Sequence, residues 1–406
     1  MNNSSLPYPT REKTMKAYAD HLSRGKVEAF TELGIDIVIG RREGACFYDA
    51  YDNRRYLNCH CNGGVFNLGH RNPVVLESLR RALYDDEIDV GNHHLVSGWK
   101  ALLASRLATT TNNRCPGVVF SPSGSEAVEV AIKTARVVTG RPEIISVHGG
   151  YHGHTGLAAM AGDANYHEPF GINLPDFTHL VHNDIVAMEK TISDNTAAVI
   201  LETVPATLGI ALPNEGYLAR IEEICHERGA LLILDEIQTG LGRSGKFWCY
   251  EYDGVNPDVV VTGKGLGGGI YPIAATLMTA AVHQFYDDEP FVQVSSYGGA
   301  DIGCAIGLTV LDMVEAPGFL DRVEELGHRF EQKLSQLCEI RRRGLFIGLK
   351  WPDEGAGILA AKACIDAGVF AVFANNDTSV LQFLPPLTLT DAEADEIITL
   401  MIGALE

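Results

Sequence analysis

Two apolar runs that each lead to a charged residue constrain the fold of this chain more than any other feature. Residues 231–234 lead to the carboxylate of Asp235, and residues 257–263 lead to the amine of Lys264. Both runs are aliphatic or β-branched and are followed by glycines, which is typical of short buried strands. Because open α/β sheets bind ligands at the carboxyl ends of their strands, we expect Asp235 and Lys264 to face one crevice.

An acid and an amine at one crevice fit the chemistry of pyridoxal phosphate. That cofactor forms a Schiff base with a lysine, and an acid beside its pyridinium nitrogen keeps the ring protonated, so that the ring can accept electrons. Each residue alone has an ordinary interpretation, since a lysine after a strand is usually solvated and an aspartate there usually caps the next turn. The glycines that flank Lys264 leave room for a bulky ligand at the backbone.

The length and net charge of the chain limit the classes of protein to which it can belong. A chain of 406 residues, 46% of them hydrophobic, is too long for one simple core and predicts two domains. The net charge of −20, with no basic block to offset it, argues against a nucleic-acid partner. No apolar run reaches the length of a membrane span, and the polar start does not resemble a signal sequence. We therefore expect a soluble cytoplasmic protein with no membrane partner.

The cysteines and histidines predict neither a disulfide framework nor a metal site. The nine cysteines are scattered and odd in number, and Cys59-His-Cys61 is too closely spaced for a standard zinc knuckle. His152 and His154 are not accompanied by a third ligand at a supporting spacing. We expect free thiols, as in a reducing cytosol, and no bound metal.

Two further stretches combine a glycine-containing turn with a regular element. Ser123 and Ser125 precede and open a helix predicted to end near Arg136, and the unpartnered N–H groups at such a helix start attract phosphate. A plain N-cap explains the same residues equally well. After a predicted strand at residues 143–147, Tyr151 stands among glycines, where it is suited either to stacking on an aromatic ligand or to packing at the surface.

Helices and strands alternate along the chain. A strand at residues 197–202, a helix at 217–229 and the Asp235 strand, joined by short links, predict a mostly parallel sheet, with residues 271–277 returning alongside. We expect a large domain over residues 61–304 and a smaller α+β domain formed by residues 1–60 and 305–406. The terminal segments predict helices at 11–33, 302–315, 320–337 and 391–405, a hairpin at 47–57, and strands at 345–350 and 380–386.

Four motifs, in order along the chain, carry a resemblance to one enzyme family. They are Ser123-Gly-Ser-Glu-Ala127, Tyr151-His-Gly153, Asp235-Glu-Ile-Gln-Thr-Gly-Leu-Gly-Arg243 and Thr262-Gly-Lys-Gly265. With them the sequence resembles the class III aminotransferases, the ornithine and 4-aminobutyrate type of the fold-type I pyridoxal phosphate enzymes, from Gly44 to the final helix. The third motif, with a lysine about thirty residues later, is highly specific, and the four together outweigh the ordinary interpretations of single residues.

The resemblance implies an α/β fold of type I, with a mostly parallel seven-stranded sheet in the large domain, and a homodimer with sites at the interface. It implies that Lys264 binds the cofactor covalently and then moves a proton, while Asp235 pairs with the pyridinium nitrogen. It also implies cofactor contacts from Gln238 at the phenolic oxygen, from Tyr151 stacked on the ring, from Ser123, Gly124 and Ser125 at the phosphate, from His152 and Glu202, and from Ser296, which would reach the phosphate held by the other subunit.

Two departures from the family pattern bear on the substrate. Members that use glutamate carry an arginine before a Pro-Pro turn near the C-terminus, where this chain has Gln382, and a shielding glutamate where this chain has Thr207. A glutamine cannot supply the charged, bidentate grip of an arginine on a carboxylate. We therefore expect the pocket to take an ω-amine or another carboxylate-poor amine, unless Arg41, Arg42 or Arg71 has taken over that grip.

Three functions are compatible with these residues. The first is an aminotransferase that moves an amino group between an amine and a keto acid or aldehyde by a ping-pong Schiff-base mechanism. The second is a racemase, epimerase or aminomutase with the same cofactor, which uses one substrate and needs no gate for two. The third is a catalytically silent protein that holds the cofactor; the complete set of Lys264, Asp235 and Gln238 weighs against it. We predict the aminotransferase.

Overall fold

The computed structural model describes residues 6–91 and 94–406, and it begins with a broken helix and a hairpin. The single helix predicted over residues 11–33 is wrong in one respect: α1 (Arg11–Tyr18) and α2 (Arg24–Glu32) are separated by a π-helical turn at Ala19–Ser23. The break lies at Ser23, whose backbone is extended and whose side chain caps α2 by accepting the N–H of Lys26. The strands that follow are β1 (Ile39–Glu43), β2 (Cys46–Asp49) and β3 (Arg55–Asn58), of which β2 and β3 form the predicted hairpin.

A seven-stranded sheet forms the centre of the molecule. In spatial order its strands are β4 (Gly117–Ser121), β10 (Ala274–Met278), β9 (Val259–Thr262), β8 (Leu231–Asp235), β7 (Thr196–Glu202), β5 (Glu143–Val147) and β6 (Phe177–Leu180). β10 is antiparallel to both of its neighbours, whereas the pairs from β9 to β6 are parallel. The prediction of a mostly parallel seven-stranded sheet is confirmed.

Helices cover both faces of this sheet because its strands are apolar on both sides. In β7, Val199 and Leu201 pack into one buried cluster, while Ala198 and Ile200 pack into another on the opposite face. The helices of this part of the chain are α4 (Pro73–Tyr84), α5 (Gly98–Thr110), α6 (Gly124–Thr139), α7 (Gly156–Ala161), α8 (Ile185–Thr191), α9 (Tyr217–Arg228) and α10 (Ala280–Asp288), preceded by the short turn α3 (Cys61–Gly64).

The C-terminal part of the chain shares its core with the N-terminal hairpin. Its elements are α11 (Asp301–Val314), α12 (Phe319–Leu334), β11 (Glu339–Arg343), β12 (Phe346–Lys350), α13 (Ala356–Ala367), β13 (Val369–Phe370), β14 (Val372–Ala374), β15 (Asp377–Phe383) and α14 (Asp391–Leu405). β11, β12, β15 and β14 form an antiparallel sheet, and β13 pairs with β3. Leu57, Phe330 and Ile397 lie in one buried cluster. We propose that these two segments form the smaller domain, although the predicted boundary at residue 304 lies inside α11.

One buried arginine connects these parts of the chain. Arg243 is 0% exposed, and its guanidinium donates to the carbonyl oxygens of Leu345 (3.1 Å) and Pro385 (2.6 Å) and to Oδ1 of Asn67 (3.2 Å from Nε). No carboxylate forms an ion pair with it within residues 6–91 and 94–406. Oxygen dipoles from three separate stretches therefore replace its water shell.

No single helix among the described residues combines the length and the apolar composition that crossing a membrane requires. The helices α11 and α12 meet that test only when taken together, and the chain bends by 67° between them. Most residues of α11 are buried against other parts of the same chain.

Candidate active site

Two carboxylates and an amine meet at the carboxyl end of the large sheet. Glu202 ends β7, Asp235 ends β8 directly opposite it, and Lys264 comes two residues after the end of β9. Because neighbouring parallel strands end at the same edge, these side chains line one cavity, which opens to solvent.

Most of the residues predicted for the site line this cavity. They are Ser123, Gly124, Ser125, Tyr151, His152, Glu202, Asp235, Gln238 and Lys264. Sequence reasoning missed Val204, Ile237 and Thr239, which also line it. Each of these lies within two positions of a predicted residue, so the strand-end pattern contained the signal for them.

Lys264 is held in an unusual backbone conformation. Its φ of +43° falls in the left-handed region, which non-glycine residues seldom adopt and which is often found at functional sites. Burial lowers the pKa of the Lys264 amine, and the charges of Asp235 and Glu202 only partly oppose that effect. A lowered pKa increases the fraction of neutral amine, which is the nucleophilic form.

Asp235 is fixed by two hydrogen bonds. Its Oδ2 lies 2.8 Å from Nδ1 of His152, and its Oδ1 accepts the N–H of Ile237 at 3.1 Å. Burial disfavours the charged form of the His152 imidazole, but the hydrogen bond that His152 donates to Asp235 and the charges of Asp235 and Glu202 outweigh burial and raise the pKa of His152. The Asp235 carboxylate is therefore held in one orientation at the wall of the cavity.

Tyr151 and Glu202 form the neighbouring part of the wall. The backbone N–H of Tyr151 donates to Oε1 of Glu202 at 2.8 Å. Burial raises the pKa of Glu202 to about 7, so its carboxyl group takes up a proton near neutral pH rather than near pH 4. The hydrogen bond holds the loop that carries Tyr151 against the end of β7.

The start of α6 forms the opposite wall and offers donors to an anion. The side chain of Ser123 caps the helix by accepting the N–H of Glu126, while the N–H groups of Gly124 and Ser125 donate no hydrogen bond within the described part of the chain. A Cβ on Gly124 would come within 2.8 Å of Cδ1 of Ile237, so the end of the Ile237 side chain would have to shift to accommodate it. Free N–H groups at the positive end of a 16-residue helix suit a phosphate group.

The turn α3 packs beside Lys264, which sequence reasoning did not foresee. All four of its residues have positive φ angles, between 51° and 99°. A Cβ on Gly63 would lie 3.6 Å from Cε and 3.8 Å from Nζ of Lys264, and 3.4 Å from Nε2 of Gln238. Backbone rather than a side chain therefore lies beside the amine. The adjacent glycines Gly63 and Gly64 were the signal available in the sequence.

The residues predicted for the substrate pocket lie elsewhere in this chain. The hydroxyl of Thr207 donates to the carbonyl oxygen of Gly149 at 2.7 Å. Gln382 is 6% exposed and lies in β15 between β12 and β14. Ser296 is exposed. None of the three lines the cavity.

The three arginines considered as substitutes for the missing carboxylate grip do not line the cavity either. Arg41, Arg42 and Arg71 are all exposed. The guanidinium of Arg41 lies 3.8 Å from the ring centroid of Tyr48 and pairs with Glu43. Within the parts of the chain that the structure describes, no arginine borders the cavity and Lys264 is its only lysine.

No group of three His, Cys, Asp or Glu side chains in residues 6–91 and 94–406 is arranged to hold a metal ion. The residues that border the cavity instead fit pyridoxal phosphate. A half-buried lysine, a fixed carboxylate and the free N–H groups of a helix start correspond to the aldehyde, the ring nitrogen and the phosphate of that cofactor.

Comparisons with known proteins agree with this fit. Residues 29–405 match the family described as aminotransferase class-III. A protein of Archaeoglobus fulgidus named an uncharacterized aminotransferase is 47% identical over 403 residues, which cover 98% of this chain and 94% of the relative.

Two solved structures resemble the chain over nearly its whole length. The ornithine aminotransferase of Toxoplasma gondii has a TM-score of 0.89 at 25% identity, with 99% of this chain and 96% of that chain covered. An amine transaminase from an uncultivated Pseudomonas species, solved with pyridoxal phosphate bound, has a TM-score of 0.83 at 27% identity, with 91% and 94% covered. The fold, the cavity and these matches together place the chain in the class III aminotransferases, which are pyridoxal phosphate-dependent enzymes.

Proposed function

We propose that this aminotransferase takes its amino group from an amine whose reacting carbon bears no carboxylate, such as an ω-amine, and passes it to a keto acid or aldehyde. The observation that carries this proposal is the charge of the cavity. Among the described residues that line it, Glu202 and Asp235 are acidic, no arginine is present, His152 is already paired with Asp235, and Lys264 is needed for the cofactor. A substrate carboxylate beside Lys264 would be partly desolvated with no cation fixed to receive it, which costs free energy.

The chemistry is proposed to centre on Lys264 and Asp235. Bound pyridoxal phosphate supplies an electron sink for bonds broken at the substrate carbon. The neutral amine of Lys264 would bind the cofactor aldehyde and then, released by the substrate, carry the proton that leaves that carbon. Asp235, held by His152 and Ile237, would keep a proton on the ring nitrogen.

The remaining contacts would orient the cofactor. We propose that Tyr151 stacks on its ring, that Gln238 donates to its phenolic oxygen, and that the N–H groups of Gly124 and Ser125 bind its phosphate. Gln238 and Lys264 both lie on the side of Gly63 where a Cβ would stand, and their proximity supports placing the aldehyde and the phenolic oxygen side by side there.

The backbone at Gly63 also bears on the substrate. With hydrogen alone at this Cα, the space beside the Lys264 amine is bordered by peptide groups, which carry no net charge. A substrate that approaches Lys264 from this side would meet no charged side chain of α3. This observation favours carboxylate-poor amines for the same reason as the absence of a cation.

We predict that a simple diamine, 1,4-diaminobutane, converts the bound cofactor at least about tenfold faster than glutamate does in single-turnover experiments. A missing charge-assisted contact to the α-carboxylate costs glutamate about 1.5–3 kcal/mol, which is about 10–160-fold in rate. Alanine, which also carries an α-carboxylate, should be slow too. The measurement is the loss of the absorbance band of the bound cofactor after each amine is mixed with the enzyme.

Variants identify the source of any carboxylate recognition. We expect Gln382→Ala to leave all three rates within about twofold, because Gln382 does not line the cavity. Rapid conversion by glutamate that is lost in Arg41→Ala, Arg42→Ala or Arg71→Ala would contradict the proposal and would name the residue that replaces the family arginine.

We also propose that the enzyme is a homodimer with shared sites. Ser296 lies outside the cavity of its own chain, in an exposed stretch with several large apolar side chains: Phe291 (76% exposed), Val292 (57%), Val294 (47%) and Tyr297 (60%). An apolar patch of this kind is typical of an interface, and a second subunit there would bring its Ser296 to a phosphate. Sedimentation equilibrium should give twice the 44.0 kDa of one chain; a monomer that turns over fully would contradict shared sites.

A cytoplasmic location is part of the same proposal. All nine cysteines are free thiols, and eight of them are buried. Unpaired thiols in this number are typical of proteins that work in a reducing compartment.

A further inference from the structure

Two aromatic side chains outside the cavity contact the ring of Tyr151. Tyr166 meets it at a centroid distance of 5.2 Å and an interplanar angle of 82°, and His154 meets it at 5.3 Å and 68°. Tyr166 and His154 also meet each other at 5.4 Å and 88°. Because the three rings pack edge to face, a change in the tilt of the Tyr151 ring would bring it into steric conflict with a neighbour.

The turn that carries Tyr166 is tied to the loop that carries Tyr151. The carboxylate of Asp163 accepts the N–H of Gly149 at 2.8 Å, and the N–H of Asp163 donates to the carbonyl oxygen of Gly150 at 2.8 Å. The same carboxylate caps the 3₁₀ turn Ala164–Tyr166 by accepting the N–H of Asn165. The two stretches are therefore held at a fixed distance from each other.

A third stretch, from the small antiparallel sheet, forms hydrogen bonds to the same loop. The carbonyl oxygen of Gly149 accepts hydrogen bonds from the hydroxyl of Thr207 (2.7 Å) and from Nδ2 of Asn376 (2.8 Å), and Asn376 lies in the turn between β14 and β15. The hydroxyl of Tyr166 is shielded from solvent beside the side chains of Asn375 and Asn376, although it forms no well-aligned hydrogen bond with them. What holds Tyr166 in place is therefore mainly the packing of its ring and the anchored turn.

We propose that Tyr166 is a positioning residue for the transamination, because its ring sets the orientation in which Tyr151 meets the cofactor. This inference rests on the stacking role proposed for Tyr151. Tyr166 does not line the cavity, so its influence reaches the reacting atoms only through Tyr151. A Tyr151 ring that is free to tilt would make a poorer stacking surface, and the cofactor would leave the enzyme faster.

The test is the rate at which the bound cofactor is lost when the holoenzyme is transferred to cofactor-free buffer. We expect Tyr166→Leu, which keeps apolar bulk but removes the ring, to lose it about tenfold faster and to change the circular dichroism of the cofactor band. Tyr166→Phe keeps the ring and should stay within about twofold of the parent. Phe170→Ala, which alters a 75% exposed ring in the same loop, is the matched control and should be unchanged.

A double variant separates this inference from the proposed site. If Tyr166 acts through Tyr151, the loss rate of Tyr151→Ala should not rise further in Tyr151→Ala/Tyr166→Leu. A parental loss rate in Tyr166→Leu, or effects that multiply in the double variant, overturns the inference while the stacking role of Tyr151 stands. A parental loss rate in Tyr151→Ala overturns the stacking role, and the inference falls with it.

Discussion

Replacing Lys264 by alanine should abolish turnover and leave a folded protein that still binds the cofactor, but more weakly. We expect the rate to fall at least about 10³-fold, because one residue supplies both the covalent link and the proton transfer, and acid–base catalysis alone contributes about 10²–10⁴-fold. The fold should survive because the side chain borders a cavity and forms no ion pair closer than 4.0 Å within the described residues. Steady-state turnover and the cofactor absorbance of the purified variant measure both effects.

The position of the covalent link can be determined independently of activity. Borohydride reduction of the parent enzyme followed by peptide mapping should place the cofactor on the peptide that contains Lys264. Lys333→Ala removes an exposed lysine of α12 and serves as the matched control, with parental labelling and turnover. A label on any other lysine, or a Lys264→Ala variant that turns over normally, would sink the assignment.

The change Asp235→Asn should preserve the Schiff base and reduce the rate by about 10²-fold or more. Asparagine has nearly the same shape but no charge, so the proton on the ring nitrogen loses its partner, and a fixed electrostatic contact of this kind is typically worth about 10²–10³-fold in rate. The same change should lower the pKa of His152, because the raised pKa of that imidazole depends on the Asp235 carboxylate. Single-turnover rates measure the loss of rate, and the cofactor spectrum shows whether the Schiff base is preserved. Both are followed against pH.

A surface substitution controls for the removal of a negative charge as such. Asp312→Asn changes a side chain that is 67% exposed, and it should leave the rate within about twofold. Transamination by Asp235→Asn at near-parental speed would show that the electron-sink role assigned to Asp235 is wrong.

The large sheet and the centre of the site could be predicted because both depend on local patterns. Short apolar strands that alternate with helices specify a parallel sheet, and neighbouring parallel strands end at one edge. Asp235 and Lys264 were therefore expected at the same edge of the sheet, whatever the arrangement of the rest of the chain. The register that places Glu202 directly opposite Asp235 follows from the same geometry.

The parts that could not be predicted depend on contacts between distant stretches. Gly63 comes beside Lys264 although about two hundred residues separate them, and four successive left-handed residues in α3 make this contact possible. Thr207 was predicted to border the substrate pocket because of its position in a family pattern. Such a pattern gives the place of a residue along the chain, but hydrogen-bonding partners such as Gly149 determine which way its side chain points. The family resemblance likewise predicted no role for Tyr166.

The fully buried guanidinium of Arg243 has a consequence for how the protein unfolds. Its partners Asn67, Leu345 and Pro385 belong to stretches that precede and follow most of the large sheet along the chain. If the C-terminal stretches detached while the sheet persisted, the guanidinium would lose the carbonyl oxygens of Leu345 and Pro385, and each hydrogen bond to a charged group is typically worth about 1.5–3 kcal/mol. Partly unfolded forms are therefore raised in free energy, and loss of structure at one end of the molecule favours cooperative unfolding of the whole.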